Sequence, residues 1–166
     1  MTIHSEHPFL PPPEQRDVVR QLRGRLPAPV TIVATGSGTD RVGLTVSSIL
    51  VVLGDPDRVV LMIDPDSDLG SRLEVGVRIA ISVLTTGEGL LADTFAGLAP
   101  APGGPFQTGQ WNDCAFGPLR EGASWLGAVV EDCRSLGWSQ QVTARIDQAV
   151  LSDAPALIHQ RGRYRT

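Results

Sequence analysis

The amino-acid sequence predicts a mainly β fold, either all-β or α+β, in which about seven strands and a few helices form a small barrel. Short runs rich in β-branched residues recur along most of the chain, and clusters of Gly, Pro, Asp and Ser separate them. Helical spacing of apolar residues is confined to a few segments. The length of 166 residues and the 42% share of hydrophobic residues suit one compact domain.

The N-terminal part of the chain changes character after a proline triplet. Residues 1–13 end in Pro11, Pro12 and Pro13 and predict a flexible arm, which leaves residues 14–166 as the single folded domain. Residues 14–25 carry apolar side chains at helical spacing between arginines and predict an amphipathic helix that ends before Pro27.

Further elements follow from the alternation of β-branched runs with turn residues. A helix is expected over residues 88–95 with Gly97 at its end, and the Gly- and Pro-rich residues 98–118 predict one long loop. A short helix or turn is expected within residues 66–76. The predicted strands are residues 30–35, 42–53, 59–63, 78–84, 124–133, 141–151 and 156–160.

Charge and hydropathy exclude several classes of partner. The net charge of -4 and the pI near 5.3 argue against nucleic-acid binding, which depends on clustered Lys and Arg. The local exception, Arg161, Arg163 and Arg165, is expected to be an exposed, solvated C-terminus. No membrane span is expected, because the longest apolar run, residues 49–53, is far shorter than the about 20 residues a membrane helix needs.

The two cysteines indicate a reducing compartment. Cys114 and Cys133 lack CxxC spacing, and the N-terminus does not resemble a signal peptide, so free thiols in a cytoplasmic protein are expected. His4 and His7 have a His-x-x-His spacing, but zinc needs further pre-positioned ligands, so no metal site is predicted. No Ser-His-Asp order, HExxH motif or P-loop occurs in the sequence.

One predicted strand carries an unusual density of hydroxyl groups. In the run Gly43-Leu44-Thr45-Val46-Ser47-Ser48, side chains alternate between faces, so Thr45 and Ser47 share one side while Val46 and Ser48 share the other. Two hydroxyls on one face, preceded by a glycine that permits close approach, can hydrogen-bond the polar edge of a ring or a phosphate. The alternative is a Ser- and Thr-rich strand that simply faces solvent.

Six sequence blocks extend this observation to most of the chain. In order, between about residues 28 and 164, they are PVTIVATG, GLTVSS, DPDS, RIAISVL, LADTFAG and RGRY. By these blocks the chain resembles the flavin reductase family of split β-barrels. The resemblance implies a homodimer that binds FMN near the subunit interface and passes hydride from NAD(P)H to flavin, and it suggests a monooxygenase partner that consumes the reduced flavin.

The resemblance also assigns roles to individual positions. Thr45, Val46, Ser47 and Ser48 would line the flavin ring. Ser67 would lie in the loop that holds the ribityl phosphate, with Arg72 as the nearest cation. The remaining positions implied near the cofactor are Phe95, Ala96, Gly97 and Tyr164. Phe95 is equally consistent with an ordinary core aromatic, Tyr164 with an edge aromatic at a dimer contact, and no catalytic residue is assigned.

Three departures from the family pattern limit these implications. The phosphate loop here contains Asp64, Asp66 and Asp68, which repel a dianionic phosphate unless they point away or are neutralised. Where relatives commonly carry Gly-Asp-His near the nicotinamide, this chain reads Gly137-Trp138-Ser139 and offers no imidazole. Ser82 replaces an Asn and makes fewer hydrogen bonds.

These departures keep a second hypothesis open. The chain would then be a dimeric split-barrel binding protein without reductase activity, which takes another planar ligand or no flavin. A third hypothesis, an enzyme that uses a deazaflavin or haem, has no selecting residue in the sequence.

Overall fold

The computed structural model describes residues 17–165, so the predicted arm of residues 1–13 lies outside the described part. No helix within residues 17–165 is long and apolar enough to cross a membrane. The elements, in chain order, are α1 (Val18–Arg25), β1 (Ala28–Pro29), β2 (Thr31–Thr35), β3 (Val42–Val46), β4 (Ile49–Val52), β5 (Arg58–Ile63), β6 (Arg78–Val83), α2 (Gly89–Phe95), β7 (Trp111–Cys114), β8 (Gly117–Arg120), β9 (Trp125–Leu136), β10 (Ser139–Val150), β11 (Ile158–Gln160) and β12 (Arg163–Arg165).

Seven antiparallel strands form the main sheet, in the order β3-β2-β6-β9-β10-β5-β4. The strands at its two edges, β3 and β4, are consecutive in sequence and separated only by Ser47 and Ser48. Three extended Cα to Cα steps reach at most about 11 Å. The two edges must therefore approach each other, and the sheet curls into a half-barrel. The predicted mainly β fold class is confirmed.

The concave side of the curled sheet encloses the first hydrophobic core. Along β5 the residues alternate, so that Val59, Leu61 and Ile63 are fully buried and face the inside. Leu69 and Leu73, from the segment that follows β5, belong to the same buried cluster. Burial of each such aliphatic side chain is worth about 1.5–3 kcal/mol.

A second core lies on the convex side, between the sheet and helix α2. Ile32 and Ala34 of β2 point outward and are covered by Leu91 and Phe95 of the helix. Because the inner neighbour Val33 faces the barrel core, all five residues of β2 are buried. This two-sided burial explains why β2 has the apolar, non-alternating sequence of a central strand.

The structure corrects two sequence expectations. The predicted single strand over residues 42–53 is broken at Ser47 and Ser48, where the chain changes sheet edges. The predicted long loop over residues 98–118 contains most of a hairpin, β7–β8, which packs on the convex side with Phe116 over Gly127. Four-residue strands containing Asp113 and Pro118 have little intrinsic β preference, and tertiary contacts alone define them.

The two aliphatic residues at the centre of α2 provide a matched test of the second core. Leu91 is 6% exposed and Leu90 is 69% exposed. Replacement of Leu91 by Ala is expected to lower the free energy of unfolding by about 2–4 kcal/mol, because it leaves a cavity under the helix. Leu90→Ala should change it by less than about 0.5 kcal/mol. Urea unfolding of both variants measures the difference, and equal losses would contradict this placement of the helix.

Candidate functional site

The crossing from β3 to β4 exposes the two serines that the sequence singled out. Ser47 and Ser48 are exposed, and among the described residues neither hydroxyl forms a hydrogen bond. The backbone is held on both sides, since Thr31 Oγ1 donates to the Val46 carbonyl at 2.6 Å and the Met62 amide donates to the Ser48 carbonyl at 3.0 Å. The crossing thus presents two free hydroxyls on a fixed backbone.

The residues just before the crossing face in opposite directions. Val46 is 3% exposed and belongs to the inner core. Thr45 points to the convex side, where its hydroxyl donates to the Ala92 carbonyl of α2 at 2.6 Å. Thr45 therefore connects β3 to α2, and its hydroxyl hydrogen is already used in this hydrogen bond.

The aspartate-rich turn after β5 adjoins the crossing, because β5 pairs with the start of β4. Ser67 stabilises this turn internally: its hydroxyl donates to the Asp64 carbonyl at 2.6 Å and accepts from the Gly70 amide at 2.9 Å. A Cβ at Gly70 would lie 2.2 Å from the Asp64 carbonyl oxygen, so only glycine fits there. The turn is therefore compact, with Ser67 at its centre.

Arg72, the cation expected to neutralise the turn, is paired with a carboxylate from another loop. Its Nη1 donates to Asp40 Oδ2 at 2.8 Å. The hydrogen bond from Arg72 holds the pKa of Asp40 below its usual value, and Asp40 in turn raises the pKa of Arg72. The ion pair lies at the surface and is therefore weak, so Arg72 can leave Asp40 for another anionic partner.

The end of α2 carries the three positions predicted to close on a cofactor. Phe95 is 3% exposed and packs against Phe106 and Trp111, with ring centroids 4.9 and 5.0 Å away. Ala96 caps the helix, and Gly97 follows with a positive φ of 71°, the left-handed conformation that favours glycine at a helix end. Phe95 thus lies in the second core, while Ala96 and Gly97 lie at its rim.

Tyr164 lies against the same helix from the C-terminal hairpin. Its hydroxyl donates to Asp93 Oδ1 at 2.6 Å, and its ring covers Gly89, where a Cβ would lie 2.8 Å from the ring. Burial and the Asp93 carboxylate raise the pKa of Tyr164, which keeps the phenol protonated at neutral pH. His159 lies beside it, with ring centroids 5.6 Å apart.

An open cleft of about 340 Å³ lies between the aspartate-rich turn and the tip of the β9–β10 hairpin. Pro65 and Asp66 line one side, and residues 133–135 and 137–140 line the other. Trp138 is 98% exposed at the tip. The Gln140 side-chain oxygen is buried and has no hydrogen-bond partner within residues 17–165. The cleft thus offers the exposed aromatic face of Trp138, whereas the unpaired Gln140 oxygen lies beneath its surface.

Comparison with known proteins identifies the family. The family model for the flavin reductase like domain matches residues 23–166. The chain belongs to the flavin reductase-like family.

Individual relatives agree with this family assignment. The chain is 31% identical over 124 residues to FMN reductase (NADH) RutF of Ancylobacter novellus, an alignment that covers 74% of this chain and 66% of the relative. It is 28% identical over 155 residues to the 4-hydroxyphenylacetate 3-monooxygenase reductase component of Salmonella typhimurium, covering 91% of each. The NADH:FAD oxidoreductase SgcE6 of Streptomyces globisporus, solved with NAD and FAD fragments, superposes with a TM-score of 0.82 at 25% identity and 95% coverage of both chains.

The ten positions predicted for this flavin reductase-like chain fall on connected elements. The crossing and the turn that contains Ser67 meet through the β4–β5 pairing. Thr45 contacts α2, whose end carries Phe95, Ala96 and Gly97, and Tyr164 contacts Asp93 of the same helix. Arg72 lies near the start of β3, beside Asp40. None of these contacts tests the cofactor roles, so the roles stay predictions.

The departure at Ser82 has a structural consequence. Ser82 is fully buried, and its hydroxyl accepts a hydrogen bond from the Arg120 amide at 2.9 Å. Arg120 also forms an ion pair with Glu88, with Nε 2.7 Å from Oε1. In this chain Ser82 therefore anchors the β7–β8 hairpin to β6, and the ion pair of Arg120 with Glu88 connects the same hairpin to the start of α2.

Sequence reasoning missed three contributors to the site region. Phe106 and Trp111 complete the aromatic cluster around Phe95, and their isolated positions in a Gly- and Pro-rich segment gave no periodic signal. Arg134 lines the cleft, and its Nε lies 4.0 Å from the nearest carboxylate oxygen, on Asp132. Arg134 is thus a loosely held cation beside Asp66.

The described residues fit a flavin ring better than its phosphate. The free serine hydroxyls at the crossing and the exposed indole of Trp138 suit a flat heteroaromatic ring, which can form hydrogen bonds at its edge and stack on its face. For the phosphate, Ser67 is engaged within its turn and Arg72 is paired with Asp40. A bound phosphate must therefore draw Arg72 away from Asp40 or use Arg134.

His159 makes the hairpin beside α2 sensitive to mild acid. Its Nε2 is buried without a partner in the described part, and burial lowers the pKa of His159 below 6.5, with Arg23 acting in the same direction and Asp93 opposing it. Between 6.5 and this lowered pKa the unfolded chain binds more protons than the folded one. Stability should therefore fall as pH drops through this window, and less so in His159→Gln. Urea unfolding at pH 7.5 and 5.5 checks this, and parallel losses in both proteins would contradict it.

Proposed function

We propose that the chain is a flavin reductase that binds FMN and transfers hydride to it from NADH or NADPH. The observation that carries the proposal is the crossing at Ser47 and Ser48, which presents free hydroxyls beside the end of β5 and the aspartate-rich turn on a flavin reductase-like fold. The proposal is further supported by relatives named as NADH-dependent reductases of FMN and of FAD.

The protein residues bind and orient the reactants, while the flavin supplies the hydride-accepting ring when it is bound. Ser47 and Ser48 would hold the polar edge of the ring through their free hydroxyls. Trp138, exposed at the tip of the β9–β10 hairpin, would supply an aromatic face for stacking. His159, the histidine among the described residues, packs against Tyr164 by α2, so no protonated imidazole is assigned to the reaction.

We further propose that reduced flavin leaves the chain for a monooxygenase. Relatives include reductase components of two-component oxygenases, such as those acting on 4-hydroxyphenylacetate and styrene.

Exposed aliphatic side chains on β4 and the segment after it, Leu50, Val51, Val52 and Leu53, support assembly of a homodimer through this edge. The free thiols of Cys114 and Cys133 support a cytoplasmic location.

A specific observation favours a second function, binding without reduction. The turn beside the crossing carries three carboxylates, and Arg72, the cation expected to neutralise them, is already paired with Asp40. A chain that holds a planar ligand other than FMN in this cleft is therefore the alternative.

Absorption spectroscopy separates the two functions. FMN added to the purified protein is expected to shift its visible spectrum and quench its fluorescence, and anaerobic NADH or NADPH should then bleach it. The same sample should sediment with twice the mass of one chain. Lack of FMN binding removes the proposed function and favours the alternative, and FMN binding without bleaching shows that the chain carries flavin without reducing it.

The ion pair between Arg72 and Asp40 predicts how the phosphate is recognised. Arg72→Ala should weaken the binding of FMN by about threefold to tenfold and leave the affinity for riboflavin unchanged, because only FMN carries a phosphate dianion. Asp40→Asn frees Arg72 and should strengthen FMN binding selectively. Fluorescence titration with both flavins measures these shifts. Equal losses for FMN and riboflavin in Arg72→Ala would show that Arg72 supports the fold and does not reach the phosphate.

A further inference from the structure

The arginines of this chain are divided between two environments. The fourteen basic residues are all arginine. Six of them, Arg41, Arg58, Arg72, Arg120, Arg134 and Arg145, form ion pairs with carboxylates. Another seven are exposed and form no ion pair with any residue in the range 17–165. One of them, Arg78 on β6, donates to the Ala115 carbonyl at 3.5 Å. The other six are Arg20, Arg23, Arg25, Arg161, Arg163 and Arg165.

Apart from Arg78, the exposed arginines without an ion pair lie on two adjacent elements, α1 and the β11–β12 hairpin. The Arg161 amide donates to the Gly24 carbonyl at 2.7 Å, and the Gln160 side chain donates to the Arg25 carbonyl at 2.8 Å. Along β12, Tyr164 points inward to Asp93, so Arg163 and Arg165 point to the opposite, solvent side. We call these six side chains the arginine surface. The C-terminal arginines are thus part of a folded hairpin rather than a loose tail.

An unpartnered apolar stripe runs along α1 between these arginines. Val19 and Leu22 in the helix and Leu26 at its C-cap follow the spacing i, i+3, i+7, and they are 73%, 58% and 60% exposed. No residue of α1 is buried. The stripe has the spacing with which an amphipathic helix contacts a second helix. Arginines on both sides of it match the flanking charged positions of such a pair.

The chemistry favours an acidic protein segment over an anionic membrane. Binding of a helix to a lipid interface grows with the apolar area that it buries, and this stripe provides only three aliphatic side chains on a helix of two turns. The guanidinium group of arginine binds a carboxylate through two parallel hydrogen bonds, so these arginines suit the glutamates or aspartates of a protein segment. A second copy of this chain would place arginine against arginine if the surface paired with itself.

We propose that the arginine surface and the α1 stripe form a docking site for an acidic amphipathic helix of a partner protein. Leucines of the partner helix pack on Val19, Leu22 and Leu26, and its flanking glutamates pair with Arg23 and Arg163. The site adjoins α2 through Tyr164, so the partner docks beside the element that borders the predicted flavin position. The docking site does not depend on the proposed flavin chemistry.

The probe is a labelled peptide of about three heptads with leucine seams and glutamate flanks, and a copy with glutamine in place of every glutamate. Fluorescence anisotropy should show the glutamate peptide binding the full chain at least about tenfold more tightly than the glutamine copy, and losing affinity with added salt. The double variant Arg23→Gln/Arg163→Gln should bind the glutamate peptide about tenfold less tightly than the unmodified chain does. Leu22→Ser should weaken the binding of both peptides.

The matched control is Arg58→Gln/Arg145→Gln, which removes the same charge from arginines on β5 and β10 and should bind both peptides like the unmodified chain. Equal binding of the two peptides, or an equal loss in the control, overturns the proposal. Binding to phosphatidylglycerol vesicles without binding to the peptide also overturns it, because this result would show that the surface binds an anionic membrane. A fall in sedimenting mass for Leu22→Ser alone would assign the stripe to a second copy. NADH-dependent bleaching of FMN is measured separately, so loss of reductase activity remains distinguishable.

Discussion

The structure depends on the constraint that two residues connect the opposite edges of a seven-stranded sheet. Ser47 and Ser48 bridge β3 and β4, and this bridge is possible only if the sheet is curled until its edges are within about 11 Å. The curl creates the enclosed inner core, and it leaves the residues of the bridge without neighbours on the outside. Closure of the barrel and exposure of the two hydroxyls therefore have the same cause.

The remaining elements cover what the curl leaves open. On the concave side, Leu69 and Leu73, which follow the aspartate-rich turn, pack into the inner core. On the convex side, α2 covers β2, and the hydrogen bond from Thr45 to Ala92 fixes the helix to the strand that leads into the bridge. The candidate site thus lies where both hydrophobic cores end. A rigid backbone with free side chains at such a border suits binding of a flat ligand.

The sequence was sufficient for the fold class and for the approximate position of every major strand, because β-branched runs and turn residues report on local geometry. It could not show that the run over residues 42–53 changes sheet edge, since both halves have the same local preference. The role of Ser67 was equally hidden, because a serine that stabilises its own turn and one that binds a phosphate occupy similar sequences. Pairing of Arg72 with Asp40, 32 residues away, is a tertiary contact that no local pattern encodes.

The distribution of charge links the site to the rest of the surface. The turn beside the crossing is acidic, whereas the exposed arginines without ion pairs are concentrated on α1 and the C-terminal hairpin. This separation of acidic and basic residues does not stabilise the fold, because salt screens the attraction between distant exposed charges. Segregation is instead useful for orientation, since an acidic partner is attracted to the arginine surface and repelled by the turn. A partner held in this way would leave the mouth of the cleft open, as release of a small reduced ligand requires.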